Sequence, residues 1–275
     1  MDFPWKSYGR KLRSLLIGIV LISLLPSILL QGWMQNTPSV WDYRVDQYTY
    51  PLFPEVFEKF GYSMTIFGGA LLVGIVFALV MTFMTTIMPS FAKGLLTRTF
   101  TFLESFPDLF IVFLLQLSVV YIYKQTGYLV SSVSAFMNQK IYLLPIITLS
   151  LLPALQLFRI TFLLMEEERG KAYVKVAKSM GLGSMYITVH HIFRNLISNL
   201  INYYKTIFIF MLSNLFIVEI VYNLHGIMTI MLHARGVALA ATILVLALPF
   251  SLLFEYIDYK LRVHRGMDAE MEEAA

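Results

Sequence analysis

The stretch Tyr62–Met88 reads YSMTIFGGALLVGIVFALVMTFMTTIM, 27 consecutive residues without a charge. About 20 mostly apolar residues suffice for a helix to cross the hydrocarbon core of a bilayer, so this segment predicts a transmembrane helix. Ala70, Gly74 and Ala78 fall four apart on one face of it. Small residues at that spacing let two helices approach closely in lipid.

Five further stretches have the same character: Ser14–Trp33, Thr99–Tyr123, Ile141–Met165, Lys205–Tyr222 and Val237–Tyr259. The chain as a whole agrees. Of its 275 residues 58% are hydrophobic and only 14% charged, against about 25% charged in soluble domains. The charge deficit runs along the full length, which predicts an all-α membrane protein with one transmembrane domain, residues 1–275, of about six spans. The first span is too long for a cleavable signal peptide and lacks a small-residue cleavage site after it. Pro26, Pro107, Pro145, Pro153 and Pro249 lie in or beside spans, where neighbouring helices satisfy the backbone groups that proline frees. There is no cysteine, which excludes disulfides, thiolate metal sites and cysteine nucleophiles.

The connections divide by charge. Lys6, Arg10, Lys11, Arg13, Lys93, Arg98, Arg169, Lys171, Lys175, Lys178, Arg194, Lys260, Arg262 and Arg265 fall on one side, 14 in all. On the other are Arg44, Lys59, Lys124, Lys140 and Arg235. The positive-inside rule predicts cytoplasmic termini and an external first loop, Met34–Phe60, rich in Trp, Tyr and Pro. The net charge of +4 fits anionic lipid better than nucleic acid, and no nucleic-acid partner is expected.

The connection between the fourth and fifth spans is longer than a turn requires. It reads MEEERGKAYVKVAKSMGLGSMYITVHHIFRNLISNLI, from Met165 to Ile201. Tyr173, Val176, Ala177 and Met180 recur at helical spacing as an apolar stripe, opposite the basic stripe Lys171, Lys175 and Lys178. Gly181 and Gly183 predict a helix stop and tight turn. Ser184 is placed to cap a second helix, with Met185, Thr188, Val189, Ile192, Phe193 and Leu196 on its apolar side. Two short amphipathic helices joined by glycine fit either an interfacial element on lipid headgroups or a docking element for a cytosolic protein.

The stretch AYVKVAKSMGLGSMYITVHHIFRN resembles the EAA loop of permease subunits of binding-protein-dependent ABC importers, in the oligopeptide, dipeptide and nickel branch. Tyr173, Val174, Ala177, Gly181 and Leu182 fall on that branch's pattern, as do His191, Arg194 and Asn195 beyond the glycine. Further on, VEIVYNLHGIM is similar to the family's segment at the end of the fifth span through Glu219, Val221 and Gly226. LESFPDLF and the fourth span, ending at Arg159, resemble it upstream, so the likeness covers Leu103–Arg262. Ala172, Gly183, Leu224, His225 and Met228 depart from the pattern, YKLR replaces the C-terminal DPR, and Glu166–Glu168 look like an insertion.

The resemblance implies a type I importer permease fold with a coupling loop over about 166–200. It implies a solute pathway shared with a second permease, copy or paralogue, driven by two cytosolic ATPase subunits, and fed by an extracytoplasmic solute-binding protein. The solute would be a peptide or something of similar size. ATP and Mg would be bound by the partner ATPases, because this chain has no G-x-x-x-x-G-K-[S/T] cradle and no cofactor or metal of its own is expected. ATPase coupling would fall to Tyr173, Val176, Ala177, Met180, Gly181, Leu182, His191, Arg194 and Asn195. Glu219 and Arg235 are candidates for the pathway, since an acid inside a span marks a function or a pair. Adjacent His190 and His191 diverge by about 100° on a helix and do not share a metal easily. Glu104 and Asp108, near the start of the third span, snorkel or pair with Arg98 in this reading. An ATP-independent secondary transporter or channel, or a membrane scaffold recruiting a cytosolic partner, is the alternative.

Overall fold

The computed structural model describes residues 5–29, 39–45, 47–136 and 139–273. It contains α1 (Trp5–Leu29), β1 (Asp42–Val45), β2 (Tyr48–Pro51), α2 (Glu55–Ile87), α3 (Ser90–Leu103), α4 (Asp108–Thr126) and α5 (Leu143–Arg169). These are followed by α6 (Ala172–Ser179), α7 (Ser184–Ile187), a π turn (Thr188–Ile192), α8 (Phe193–Val221), α9 (Ile227–His233) and α10 (Gly236–Glu273). Among the described residues five helices are long and apolar enough to cross a membrane: 55–87, 108–126, 143–169, 199–221 and 236–261. The expected first span, Ser14–Trp33, lies in α1, and residues 30–33 are outside the described set.

Two compact units divide the chain. The first holds the start of the chain to Ser63 together with His225 onward. In it α1 runs with α10. Lys11 Nζ reaches the buried Glu255 carboxylate at 2.5 Å, and the Tyr8 and Ser251 hydroxyls lie 3.3 Å apart. The expected outer loop carries an antiparallel hairpin with Tyr43 opposite Tyr50 and Val45 opposite Tyr48. This eight-residue exception to the all-α class is anchored by Tyr43, which is buried and donates its hydroxyl hydrogen to Glu55 on α2. Lys59 Nζ donates to the same phenol oxygen at 2.9 Å. Burial, and next the Glu55 hydrogen bond, push the Tyr43 phenol well above the usual tyrosine range. The Ile227 N–H, at the start of α9, donates to Ser63 Oγ at 2.9 Å.

The second unit, Met64–Leu224, is built on α5 packed along α8. α5 is the most enclosed span, with 61% of its apolar window buried, which makes it the central post of this unit. Ala70 and Ala78 are fully buried, and a Cβ on Gly74 would sit 3.7 Å from the Ala154 backbone, so the small-residue face of α2 does meet a helix, α5. Phe100 of α3 wedges between Phe77 of α2 and Phe158 of α5, with centroids 6.0 and 5.1 Å away.

The third span departs from the sequence expectation. Thr99–Tyr123 is not one helix: α3 ends at Leu103 and α4 begins after Pro107. Proline lacks an N–H and disfavours the α conformation in the residue before it, so the helix stops ahead of Pro107 and restarts with proline as its N-cap. Lys93 lies 3.8 Å from Glu166, near the Arg169 end of α5. Eleven residues later Glu104 binds Arg159 at 2.8 Å, seven residues further up α5. α3 therefore climbs α5, and the break falls alongside the middle of that span. Glu104 pairs with Arg159, not Arg98, and Asp108 accepts from Asn214 Nδ2 of α8 at 2.5 Å.

Candidate functional site

α5, α6, α7 and the start of α8 close on one hydrophobic cluster. Met165 from α5, Val174 and Ala177 from α6, Ile187 from α7, and Ile192, Leu196 and Leu200 from the π turn and α8 are all buried in it. The short helix α6, only eight residues long, would be unstable in water by itself. Its inward face holds it to the ends of two spans.

The turn after α6 satisfies the helix end by backbone geometry. The Gly181 N–H donates to the Lys178 carbonyl at 3.0 Å, and the Leu182 N–H to the Ala177 carbonyl at 3.3 Å. Gly181 has φ +81°. This is the Schellman arrangement, with glycine in the left-handed position and Leu182 folding back onto the cluster. The predicted stop at Gly181 is therefore formed as the sequence suggested. A Cβ at Gly181 would meet nothing within 4 Å, so backbone conformation alone demands the glycine here.

A polar clamp fixes the junction between α5 and α6. Glu168, buried at the end of α5, accepts from Tyr173 Oη at 2.7 Å and from Lys171 Nζ. Burial, then the Glu168 hydrogen bond, raise the Tyr173 phenol above its usual range, while the Asn195 side chain bonding to it draws it back. Arg169 donates to Thr86 Oγ1 of α2 at 2.8 Å and to Glu166 at 2.9 Å. The three glutamates are thus the last turn of α5. Sequence reasoning missed Glu168 and Arg169, whose roles depend on partners the pattern does not display.

The predicted apolar stripe of α6 divides into two. Tyr173 is half-buried and Ala177 buried, and Val174 joins them against the cluster. Val176 is 58% and Met180 72% exposed. On the second helix Thr188, Ile192 and Leu196 face inward and Phe193 packs against the cluster, as expected, but Met185 and Val189 are exposed and Ile187 faces inward in their place. The π turn is the reason: it adds a residue to the turn, so Ile187 and Ile192, five apart, stack on one face. Ser184 does not cap: Gly183 is the N-cap residue and no side-chain cap bond forms. Tyr186 stacks on His190 at 4.3 Å, with the His191 ring edge-on at 6.0 Å. Arg194 is exposed on α8.

The outlying candidates sit elsewhere. The Glu219 side chain is buried, at 2% exposure, in the last turn of α8. That helix ends in a second Schellman turn, with Asn223 at φ 51° and the Leu224 N–H donating to the Glu219 carbonyl at 2.8 Å. Arg235, in the other unit, donates to the Leu232 and Ala234 carbonyls at 2.9 Å each, completing the end of α9.

The arrangement is a small, stiffly held pair of helices presenting Val176, Met180, Met185 and Tyr186 outward beside three lysines. No curated relative matches the chain. A family match does cover residues 70–263, from the small-residue face of α2 through the α5–α8 element and well into α10. The family is described as the binding-protein-dependent transport system inner membrane component. Four of the five spans, the broken third helix and the anchored α6–α7 pair fall inside those residues, and the chain belongs to this family: it is an all-α permease component of an ABC transporter.

Proposed function

We propose that the chain is one of two permeases, copies or paralogues, lining the pathway of an ABC importer for peptides or solutes of similar size. In this reading α6 and α7 form the EAA loop. It seats in a cleft of one of two cytosolic ATPases, and an extracytoplasmic solute-binding protein delivers the solute to the opposite face. Both termini are cytoplasmic, on the charge distribution of the connections.

The observation that carries the coupling role is the division of α6 into two faces. Val174 and Ala177 are gripped by the ends of α5 and α8, and Val176 and Met180 are exposed. An element meant to rest on its own protein would bury its whole apolar stripe. An element that passes force between two bodies must hold one tightly and offer apolar surface to the other. Movement imposed on α6 passes through the Glu168–Tyr173–Lys171 clamp into α5 and through Leu196 and Leu200 into α8. Those two helices form the spine of their unit, so displacement of the loop becomes displacement of the spans, the shape of a rigid-body alternating-access transition. Glu219 and Arg235 are assigned to the pathway in the same reading, Glu219 because a carboxylate inside a span is costly unless it has a partner or a use.

Membership of a family described as the inner membrane component of a binding-protein-dependent transport system weighs against both alternatives, an ATP-independent transporter and a recruiting scaffold. The test is purification of the tagged chain from its native membrane, followed by reconstitution. Co-purification of an ATPase, with uptake that requires ATP, supports the reading. Uptake in liposomes by the chain alone, without ATPase, would refute it.

A further inference from the structure

The break between α3 and α4 leaves two acids beside the middle and upper part of α5, where a carboxylate in contact with lipid would be expensive. Glu104 binds Arg159 through one oxygen, and its side chain is 10% exposed. Its second oxygen, Oε1, is buried with no hydrogen-bond partner. Asp108 opens α4 and lines a cavity formed with α5 and α8. The cavity spans about 320 Å³ including its mouth. Its inner part admits a group about the size of one water, and its wall carries three polar side chains, Asp108, Thr148 and Asn214, among apolar ones such as Ile111, Leu152 and Ile217.

The charges decide what such a cavity takes. Glu104 and Asp108 supply two negative charges along the break and Arg159 supplies one positive. Asp108 also occupies the N-terminus of α4, the place where a helix would otherwise attract an anion. Thr148 Oγ1 is engaged with the Tyr222 hydroxyl at 2.7 Å, and the Asn214 amide donates to Asp108. The oxygen of that amide and the second oxygen of Asp108 are acceptors suited to an N–H-bearing cation. A purely structural Asp–Asn pair would account for the hydrogen bond. It would not account for the concavity beside it.

We propose that this cavity is a way-station of the solute pathway, in which Asp108 and Asn214 receive a protonated amino group of the solute. The proposal rests on the importer reading and deepens it: the transported molecules would include a class bearing an ammonium group.

The test uses the native absence of cysteine. Cysteine is placed on the cavity wall at Ile217, and separately at Val112 in case the first variant folds poorly. The assembled transporter in native membranes is treated with the cationic reagent aminoethyl methanethiosulfonate or its anionic sulfonatoethyl counterpart. Reaction is read on the tagged permease by loss of later maleimide labelling. The cation is expected to react faster by a ratio on the order of tenfold beyond the ratio in free cysteine, as negative clefts concentrate cations. Asp108→Asn should abolish that preference, and Glu167→Gln, at an exposed acid in the last turn of α5, should leave it. No cation preference, a preference that survives Asp108→Asn, or no reaction with either reagent would overturn the proposal. ATPase co-purification is measured on the same samples. Its absence from the unsubstituted chain would overturn the importer reading, while the labelling ratio still decides whether the cavity receives a cation.

Discussion

Tyr173 Oη donates to the Glu168 carboxylate at 2.7 Å, tying the first turn of α6 to the last turn of α5. Glu168 is buried and also holds Lys171. Tyr173→Phe removes one of those bonds and should cost about 1.5–3 kcal/mol, the usual range for a hydrogen bond to a charged partner. Glu168→Ala strips the partner from both Tyr173 and Lys171 and should cost more. Thermal unfolding of the purified complex in detergent measures both, and equal stability of all three proteins would remove the clamp from the account.

The same bond predicts a pH dependence. The Tyr173 phenol is raised by burial and by Glu168, so the folded state holds that proton more tightly than the unfolded chain does. Its stabilising effect is complete below the ordinary tyrosine range and is lost as pH climbs through the raised folded value. Wild type should therefore lose stability at strongly alkaline pH more steeply than Tyr173→Phe. Parallel pH curves for the two would contradict this.

Gly181, at φ +81° with open space around it, should distinguish backbone from side-chain effects. Left-handed backbone costs a non-glycine residue about 1–2 kcal/mol, with Asn the best tolerated. Gly181→Asn should keep most of the uptake activity. Gly181→Val should leave the chain inserted and abundant while weakening ATPase association. Indistinguishable uptake by the two variants would mean that the turn does not set the coupling geometry.

Topology is testable with the cysteine-free chain. Val40 is exposed at the start of the hairpin region and Ser184 is exposed at the start of α7. Val40→Cys should react with an impermeant maleimide in intact cells and Ser184→Cys only after permeabilisation. The reverse pattern would invert the orientation.

The spans were legible because a charge-free run as long as Tyr62–Met88 has few other uses, and the Gly181 stop because only glycine takes that backbone cheaply. The break at Pro107 was hidden, since hydropathy averages Glu104 and Asp108 into their apolar neighbours and their partners, Arg159 and Asn214, lie on other helices. On α7 and α8 the pattern placed Thr188, Ile192 and Leu196 inward but not Ile187, because Met185 and Val189 follow a 3.6-residue period that the π turn interrupts. Glu168 looked like part of an acidic insertion until folding placed Tyr173 and Lys171 against it. Ala177 is the instructive case. The pattern set it on the docking stripe, but it is buried in the chain's own cluster. Ala177→Glu should therefore act by destabilising the fold, and it is a poor probe of docking.

Val176 and Met180 are the better probes, because they are exposed and their own fold asks little of them. Met180→Glu and Val176→Glu should leave abundance and thermal stability near wild type, since exposed substitutions generally change stability by less than about 0.5 kcal/mol. Lys178→Ala, on the basic face, should be mild in every respect. The decisive measurement is ATPase co-purification together with ATP-dependent uptake for the Met180→Glu permease at matched expression. The account predicts loss of both with the spans intact. An ATPase still bound, with normal uptake, would contradict the claim that α6 is the surface through which this permease is driven.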